Sequence, residues 1–187
     1  MKSAAFALEA YGYPAVEDSN SLSCFIGPPL LITFQEKYGA DPTAAEKLVK
    51  KFRERYTDTG IYESALYSGI TPLLKKLKED GFLLAIASSK PQEYIEKLLV
   101  HFKINKYFNA VAGVSFSADC EPKSDIIMRC LEKLGVTAGE ALMVGDKKYD
   151  IDGARMNHMD GMGVLWGYGT PFEFIEAGAK FIAEKPD

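Results

Sequence analysis

The sequence predicts an α/β protein in which a helical N-terminal domain precedes a doubly wound, Rossmann-like parallel sheet. Two observations lead to this prediction. Residues 1–67 show helical periodicity without a clear strand, whereas residues 68–187 alternate helices with short apolar runs that suit buried strands. Because alternating strands and helices need crossover connections, we expect the strands to run parallel, with helices on both faces of the sheet.

The helical domain is predicted from three segments. The clearest begins at Asp41-Pro42, a cap residue followed by proline at the first helical position, after which apolar residues recur at spacings of three and four. Residues 4–11 and 30–38 are predicted as two further helices, because a glycine follows each of them where a helix would stop. We therefore assign residues 1–67 to one helical domain.

The second domain, residues 68–187, is predicted as a regular alternation of helices and strands. A helix opens at Thr71-Pro72 and ends at Gly81. After it we predict a strand at 82–87, a helix at 91–102, a strand at 110–114, a helix at 124–134, a strand at 141–144, a helix at 151–157, and strands at 162–166 and 180–183. Open parallel sheets bind ligands beyond the carboxyl ends of their strands, so the residues that end strands are the candidates for function.

The composition limits the partners of the chain. It has 187 residues, 47% of them hydrophobic, and its 26 acidic and 22 basic residues give a net charge of -4. This balance argues against nucleic acid or a membrane surface as the main partner, and no apolar span is long enough to cross a membrane. Cys24, Cys120 and Cys130 form no C-x-x-C pair, which argues against a zinc site or a disulfide framework. We expect a cytoplasmic protein, and the sequence carries no signal for its oligomeric state.

Two hydroxyl groups and a lysine follow the strand predicted at 82–87. Ser88, Ser89 and Lys90 stand directly before Pro91, which is predicted to open the next helix. Hydroxyls and backbone N–H groups at a helix N-terminus form a site for phosphate or another anion. The alternative is that Ser88 or Ser89 only caps the helix.

Two carboxylates follow the strand predicted at 141–144. Asp146 stands at the strand end and Asp150 at the start of the next helix, and Gly145 allows the backbone to approach closely. Oxygens of this kind suit Mg²⁺, which takes one or two carboxylates together with water and phosphate oxygens. In the alternative interpretation, Asp150 caps the helix and Asp146 is a solvated turn residue.

Lys123, just ahead of the helix predicted at 124–134, is the third candidate. A lysine in this position is usually an exposed charge. However, the chain places a hydroxyl after one strand, a lysine at a later helix start and two acidic residues after another strand. That order favours a common site for the three elements.

Several short motifs, taken together, carry a family resemblance. They are residues 25–30 (F-I-G-P-P-L), residues 87–91 (A-S-S-K-P), Lys123, residues 145–150 with Gly153 and Ala154, and Gly163 and Val164 with residues 167–169 (G-Y-G). In this order they resemble the haloacid dehalogenase-like hydrolases, and most closely the phosphoglycolate phosphatase branch. The resemblance spans nearly the whole chain. It implies that the helical domain is a cap inserted between the first strand of the core and the next.

The resemblance also implies an activity and a set of roles. The enzymes of this family hydrolyse small phosphate monoesters through an aspartyl-phosphate with Mg²⁺, so a small phosphorylated metabolite of the phosphoglycolate or nucleotide type is the expected substrate. Carried over by position, Ser88 would hydrogen-bond the transferring phosphoryl group and Lys123 would balance its charge. Asp146 would bind Mg²⁺, and Asp150 would support the metal.

One departure from the family pattern affects both chemistry and fold. The family begins with a strand ending in D-x-D-G-T, which supplies the nucleophilic aspartate, and no such motif occurs in these 187 residues. We expect that this first core strand is missing because the sequence is a trimmed, shortened or fragmentary version of a longer protein, and that its loss leaves two central strand edges unpaired. The alternative is a non-catalytic protein of the same fold that binds a phosphorylated ligand. A nucleotide-binding domain is a weaker alternative, because the chain has no G-x-G-x-x-G loop.

Overall fold

The computed structural model describes residues 1–14, 19–115 and 121–186, and the chain divides into two compact units. The first unit is Met1–Ala65 and the second is Leu66–Asp187. Cys120 lies outside the described residues, and among those that are described neither Cys24 nor Cys130 forms a disulfide. Within the described ranges, no helix combines the length and the hydrophobicity that a membrane crossing requires.

The first unit is built from three α-helices, as predicted. They are α1 (Lys2–Ala10), α2 (Leu30–Tyr38) and α3 (Pro42–Asp58). Asp41 caps α3 by accepting a hydrogen bond from Ala44 N at 3.0 Å, and Gly39 ends α2 in the left-handed conformation. One apolar cluster forms the core of this unit, with Ala4, Ala7, Leu8, Leu22, Phe25, Phe34, Ala40, Ala45, Leu48 and Val49 as its buried members.

The second unit alternates helices and strands. In order it contains α4 (Ile70–Glu79), β1 (Ala85–Pro91), α5 (Gln92–His101), β2 (Ala110–Val114), α6 (Lys123–Leu134), β3 (Leu142–Gly145), α7 (Lys148–Met156), β4 (Asp160–Val164), α8 (Pro171–Ala177) and β5 (Phe181–Ala183). The α/β class is confirmed, and the strands that pair do so in parallel. Helix α8 was not predicted, although Thr170 caps it by accepting a hydrogen bond from Glu173 N at 3.2 Å.

The strands of the described residues form two sheets rather than one. β1 pairs with β2, and a separate three-stranded sheet has the order β3-β4-β5. Within the described residues no strand pairs with β3 on the side away from β4, nor with β1 on the side away from β2.

Helices cover both faces of the β1–β2 sheet. On one face, Ala85 and Ala87 of β1 pack with Ile126 and Cys130 of α6, and the Cys130 thiol contacts the Ile86 carbonyl oxygen at 3.2 Å. On the other face, Ile86 and Val111 pack with Ile95 and Leu99 of α5. The alternation of partners along the strands is that of a sheet buried on both sides.

The three-stranded sheet is packed mainly on one face. Helices α7 and α8 lie against the glycines of β4, where Gly161 faces Ile151 and Gly163 faces the ring of Phe174. Leu142 and Val144, which alternate with the residues of β3 that face α7, are exposed. The two glycines thus allow α7 and α8 to pack closely on one face of β4, and Val164, which alternates with Gly163, is buried as well.

The start of β1 corrects one prediction. The strand predicted at 82–87 begins only at Ala85 and continues to Pro91, and both Phe82 and Leu83 are exposed. Ser88 and Ser89 consequently lie within the strand. Pro91 is the N-cap residue of α5 and no side chain caps that helix, so the alternative in which a serine caps α5 is wrong.

Candidate active site

The candidate site lies at the carboxyl ends of β1 and β3, within the second unit. Ser88 follows Ala87, where the regular pairing of β1 with β2 is interrupted, and Asp146 directly follows β3. Lys123 is the first residue of α6, and Asp150 lies in the first turn of α7. Parallel strands direct their carboxyl ends to the same edge, which is where open sheets bind ligands.

Lys123 joins the ends of the two sheets. Its Nζ atom lies 2.9 Å from Asp150 Oδ1 and donates a hydrogen bond to the Ala87 carbonyl oxygen at 3.2 Å. The side chain of Lys123 is 15% exposed and that of Asp150 is 10% exposed, so the alternative of a solvent-exposed lysine is wrong. One ammonium group therefore contacts the residue next to Ser88 and the helix that follows Asp146.

Both oxygens of Asp150 have protein partners. Oδ1 faces Lys123, and Oδ2 accepts a hydrogen bond from Lys147 N at 3.1 Å, which closes the first turn of α7. Asp150 therefore also caps α7, as the alternative interpretation predicts. A side chain on Gly145 would overlap with Asp150, which explains why the strand end carries a glycine.

Ser88 keeps a proton that it can donate. Its Oγ atom accepts a hydrogen bond from Lys90 N at 3.2 Å, and this contact uses the oxygen but not the hydrogen of the hydroxyl. Ser89 is exposed, and no described contact joins it to Lys123, Asp146 or Asp150. Of Ser88, Ser89 and Lys90, only Ser88 directly follows Ala87, whose carbonyl oxygen accepts the hydrogen bond from Lys123.

Asp146 is held from the turn that follows β4. Its Oδ2 atom accepts a hydrogen bond from Tyr168 N at 3.1 Å, over a sequence distance of 22 residues. A side chain on Gly167 would overlap with Asp146, and one on Gly169 would lie 2.6 Å from the Asp146 carbonyl oxygen. Asp146 is therefore an ordered residue in contact with the 167–169 turn and not a solvated turn residue.

Tyr67 is a member of this group that the sequence did not reveal. Burial raises the pKa of the Tyr67 phenol, and the nearby Tyr168 hydroxyl and the negative charge of the Asp146 carboxylate raise the pKa further. No local motif around Tyr67 indicates this position, because its neighbours in space come from segments 79 and 101 residues further along the chain.

Glu173 was also missed, although the sequence carried a signal. The Oε1 atom of Glu173 lies 2.9 Å from Nζ of Lys147, and Lys147 is the residue that directly follows Asp146 in the chain. Burial would raise the pKa of Glu173, but hydrogen bonds from Lys147 and from the backbone N–H of Lys148 outweigh it and lower the pKa. Thr170 and Glu173 form the T-x-x-E pattern that is typical of helix starts, and this pattern would have identified α8.

The donor set fits a cation that depends on its substrate and on water for ligands. Among the described residues, no group of three or more His, Cys, Asp or Glu side chains could hold a metal ion. Mg²⁺ does not need such a group, since it binds through one or two carboxylates together with water and phosphate oxygens. Asp146 can supply one carboxylate oxygen, because none of the described residues donates a hydrogen bond to its Oδ1 atom.

The structure is that of an α/β protein with parallel strands, and a hydroxyl, an ammonium group and two carboxylates follow the ends of β1 and β3. Comparison with known proteins gives the family: the chain belongs to the haloacid dehalogenase-like hydrolases, whose sequence pattern matches residues 1–164. The resemblance inferred from the sequence motifs is confirmed.

Two curated relatives and one solved structure that are similar to the chain carry nucleotidase or phosphatase names. It is 36% identical over 172 residues to a 5'-nucleotidase of Pseudomonas aeruginosa, covering 92% of this chain and 77% of that protein. It is 28% identical over 185 residues to a phosphoglycolate phosphatase of Vibrio parahaemolyticus, covering 95% of this chain and 81% of that one. The crystal structure of a predicted phosphatase from Clostridium acetobutylicum matches with a TM-score of 0.92 and 36% identity, over 98% of this chain and 85% of that one. These relatives support an enzyme class, the hydrolases of phosphoric monoesters.

Proposed function

We propose that the protein hydrolyses small phosphate monoesters, of the phosphoglycolate or nucleotide type, through an aspartyl-phosphate and with Mg²⁺ as cofactor. The two curated relatives described above support this substrate range, because one is named a 5'-nucleotidase and the other a phosphoglycolate phosphatase. A small phosphorylated metabolite is thus the proposed partner. We propose a cytoplasmic location, because the cysteine pattern suits a reducing compartment.

The single observation that carries the proposal is the position of the Lys123 ammonium group. It contacts both Ala87 O, next to Ser88, and Asp150, on the helix that follows Asp146. An ammonium nitrogen has three N–H groups, so the two contacts leave one for a phosphoryl oxygen. A positive charge beside a hydroxyl donor and a carboxylate is the combination that phosphoryl transfer needs, since its catalysis is mainly positioning and charge stabilisation.

In the proposed reaction, each residue of the chain has a defined task. Ser88 donates its hydroxyl proton to an oxygen of the transferring phosphoryl group, and Lys123 balances the negative charge on that group. Asp150 orients Lys123 through their ion pair, which is how it supports the site. Ser89 and Lys90 contribute to substrate binding at the end of β1.

Asp146 would hold Mg²⁺ through Oδ1, together with substrate oxygens and water. When bound, the ion supplies positive charge to the phosphoryl oxygens. The family mechanism also needs an aspartate nucleophile, and the D-x-D-G-T motif that would supply it does not occur in the 187 residues. In this proposal the helical unit takes the role of a cap that excludes water from the site.

Asp146→Asn tests the proposal on the protein translated from its natural gene, including any codons upstream of Met1. We expect Mg²⁺-dependent hydrolysis of p-nitrophenyl phosphate to fall by on the order of 100-fold or more, because the charge that holds the cation is removed. The matched control is Asp152→Asn, an exposed aspartate on α7 whose partner is Arg155. Its activity should stay within about twofold of the unsubstituted protein, since exposed ion pairs contribute little.

Two outcomes contradict the proposal. Undiminished turnover in Asp146→Asn would remove this residue from the reaction. Binding of inorganic phosphate by the unsubstituted protein, without turnover of any phosphate monoester, would support the alternative of a non-catalytic protein that binds phosphorylated ligands.

A further inference from the structure

The turn of residues 167–169 makes three separate approaches to Asp146. Tyr168 N donates a hydrogen bond to Asp146 Oδ2 at 3.1 Å. Gly167 lies so close to the Asp146 side chain that a methyl group there would overlap with its Cβ, Cγ and Oδ2 atoms. Gly169 approaches the backbone of the same residue, because a side chain on it would lie 2.6 Å from Asp146 O.

The turn is itself fixed by the core of the unit. The ring of Phe174 is fully buried and lies against both Gly163 of β4 and Gly169 of the turn. On the preceding side, Leu165 N donates to Ala183 O at 2.9 Å, so the chain stays paired with β5 just before the turn begins. The turn therefore packs against the core of the unit on one side and contacts the Asp146 carboxylate on the other.

A fixed N–H donor on one carboxylate oxygen restricts rotation of the carboxylate. Tyr168 N holds Oδ2, and the contacts of Gly167 with this side chain are also to Cβ, Cγ and Oδ2 rather than to Oδ1. None of the described residues donates a hydrogen bond to Oδ1. Hydrogen bonds from N–H groups to charged carboxylates are stronger than neutral ones, so the contact with Tyr168 N favours one orientation of the Asp146 carboxylate.

We propose that the backbone N–H of Tyr168, held in place by Gly167 and Gly169, is a positioning group that orients Asp146 so that Oδ1 faces a divalent cation. This inference rests on the proposed function for the identity of the cation site. It adds a second segment of the chain to that site, one that touches neither the cation nor the substrate. The turn acts through Asp146 alone.

A turn that served only for packing would have different consequences. Disturbing it would lower the free energy of unfolding but would leave the affinity of the folded protein for a cation unchanged. A positioning turn must alter that affinity. Cation affinity and stability, measured on the same variants, separate the two interpretations.

The test compares two glycine-to-alanine variants of the protein translated from its natural gene, the same protein as in the Asp146→Asn test. Gly167→Ala places a methyl group on Asp146, whereas Gly139→Ala places one in open space, with no atom within 4 Å and no left-handed backbone. Mn²⁺ binding is measured by electron paramagnetic resonance in the presence of inorganic phosphate. We expect affinity to fall roughly 10- to 100-fold in Gly167→Ala, the fold-change that corresponds to losing a hydrogen bond to a charged group, and to stay unchanged in Gly139→Ala.

A second variant removes the N–H without adding any atom, in case Gly167→Ala folds poorly. Replacing Tyr168 by its α-hydroxy acid analogue converts the peptide N–H into an ester oxygen. We expect the same loss of Mn²⁺ affinity. In the unsubstituted protein, hydrogen exchange of the Tyr168 amide should be slow, and Asp146→Ala should accelerate it.

The outcomes separate this inference from the proposed function. If the unsubstituted protein binds Mn²⁺ and both the Gly167→Ala and the Tyr168 ester variants bind it equally well, the positioning role is overturned and the cation site stands. If neither the unsubstituted protein nor any variant binds Mn²⁺, the cation site of the proposed function is overturned, and the positioning role with it.

Discussion

The two sheets of the α/β unit are buried in different ways. The β1–β2 sheet lies between α5 and α6, and residues of both its faces belong to apolar clusters. The β3–β4–β5 sheet packs against α7 and α8, while Val144 of β3 remains 51% exposed. The same sequence pattern, a short apolar run between helices, thus gives two environments.

The difference shows what holds the candidate site together. Between the two sheets no strand pairing exists in the described residues, so the contact runs through helices α6 and α7. Asn157 Nδ2 on α7 donates to Ser124 O on α6 at 2.9 Å, and Lys123 reaches from α6 to Asp150. The geometry of the site therefore depends on this pair of helices and not on a continuous sheet.

The largest effect on stability is expected from removing the aromatic ring that covers one face of the three-stranded sheet. Phe174→Ala should lower the free energy of unfolding by about 3–5 kcal/mol, because it leaves a cavity beneath Gly163 where a fully buried ring had been. Urea unfolding followed by circular dichroism measures this loss. The control is Phe172→Ala on the same helix, whose side chain is 73% exposed and whose loss should cost less than about 0.5 kcal/mol. Equal costs for the two variants would contradict the burial described for α8.

A smaller effect should distinguish an exposed from a buried position of the same sheet. Val164→Thr should cost about 1–3 kcal/mol, because the added hydroxyl is placed at a residue that is 5% exposed. Val144→Thr makes the identical chemical change on β3, where half of the side chain is exposed, and should stay within about 0.5 kcal/mol. Thermal unfolding of both variants provides the comparison. A loss at Val144 as large as that at Val164 would mean that β3 is covered in solution.

The smallest effect concerns stability at acid pH and involves Glu173 of α8, the helix that packs on the three-stranded sheet. Because the pKa of Glu173 is lowered in the folded protein, the carboxylate stabilises the fold above its unfolded pKa, and this contribution is lost as the pH falls below that value. Glu173→Gln should therefore show a shallower loss of stability than the unsubstituted protein below about pH 4.5. Unfolding midpoints measured from pH 7 to pH 3 give the two slopes. Parallel slopes would rule out the contribution of Glu173.

Local sequence signals predicted most of the elements. The bounds of α2 and β2 agree with the predicted 30–38 and 110–114, since in each case the sequence marks both ends. The start of β1 was wrong because Phe82 and Leu83 are apolar but exposed, and hydrophobicity alone cannot report what lies against a residue. Burial depends on tertiary neighbours, which the pattern of a short strand does not specify.

The candidate site was predictable in its residue types but not in its contacts. Strand ends identified Ser88, Asp146 and Asp150, and their order along the chain added Lys123. The Lys123–Asp150 pair and the Tyr168–Asp146 hydrogen bond join segments separated by 27 and 22 residues. Such contacts follow from how α6, α7 and the 167–169 turn pack, and no local motif encodes them.

The glycines beside the two carboxylates have a consequence for the response of the site to ionic strength. Gly145 lies against Asp150 and Gly167 lies against Asp146, so each carboxylate is confined by the bulk of neighbouring backbone as well as by charged or polar partners. Dissolved salt screens charges, but it does not weaken steric confinement. The relative placement of the two side chains is therefore expected to persist at salt concentrations that dissociate the ion pairs on the surface of the molecule.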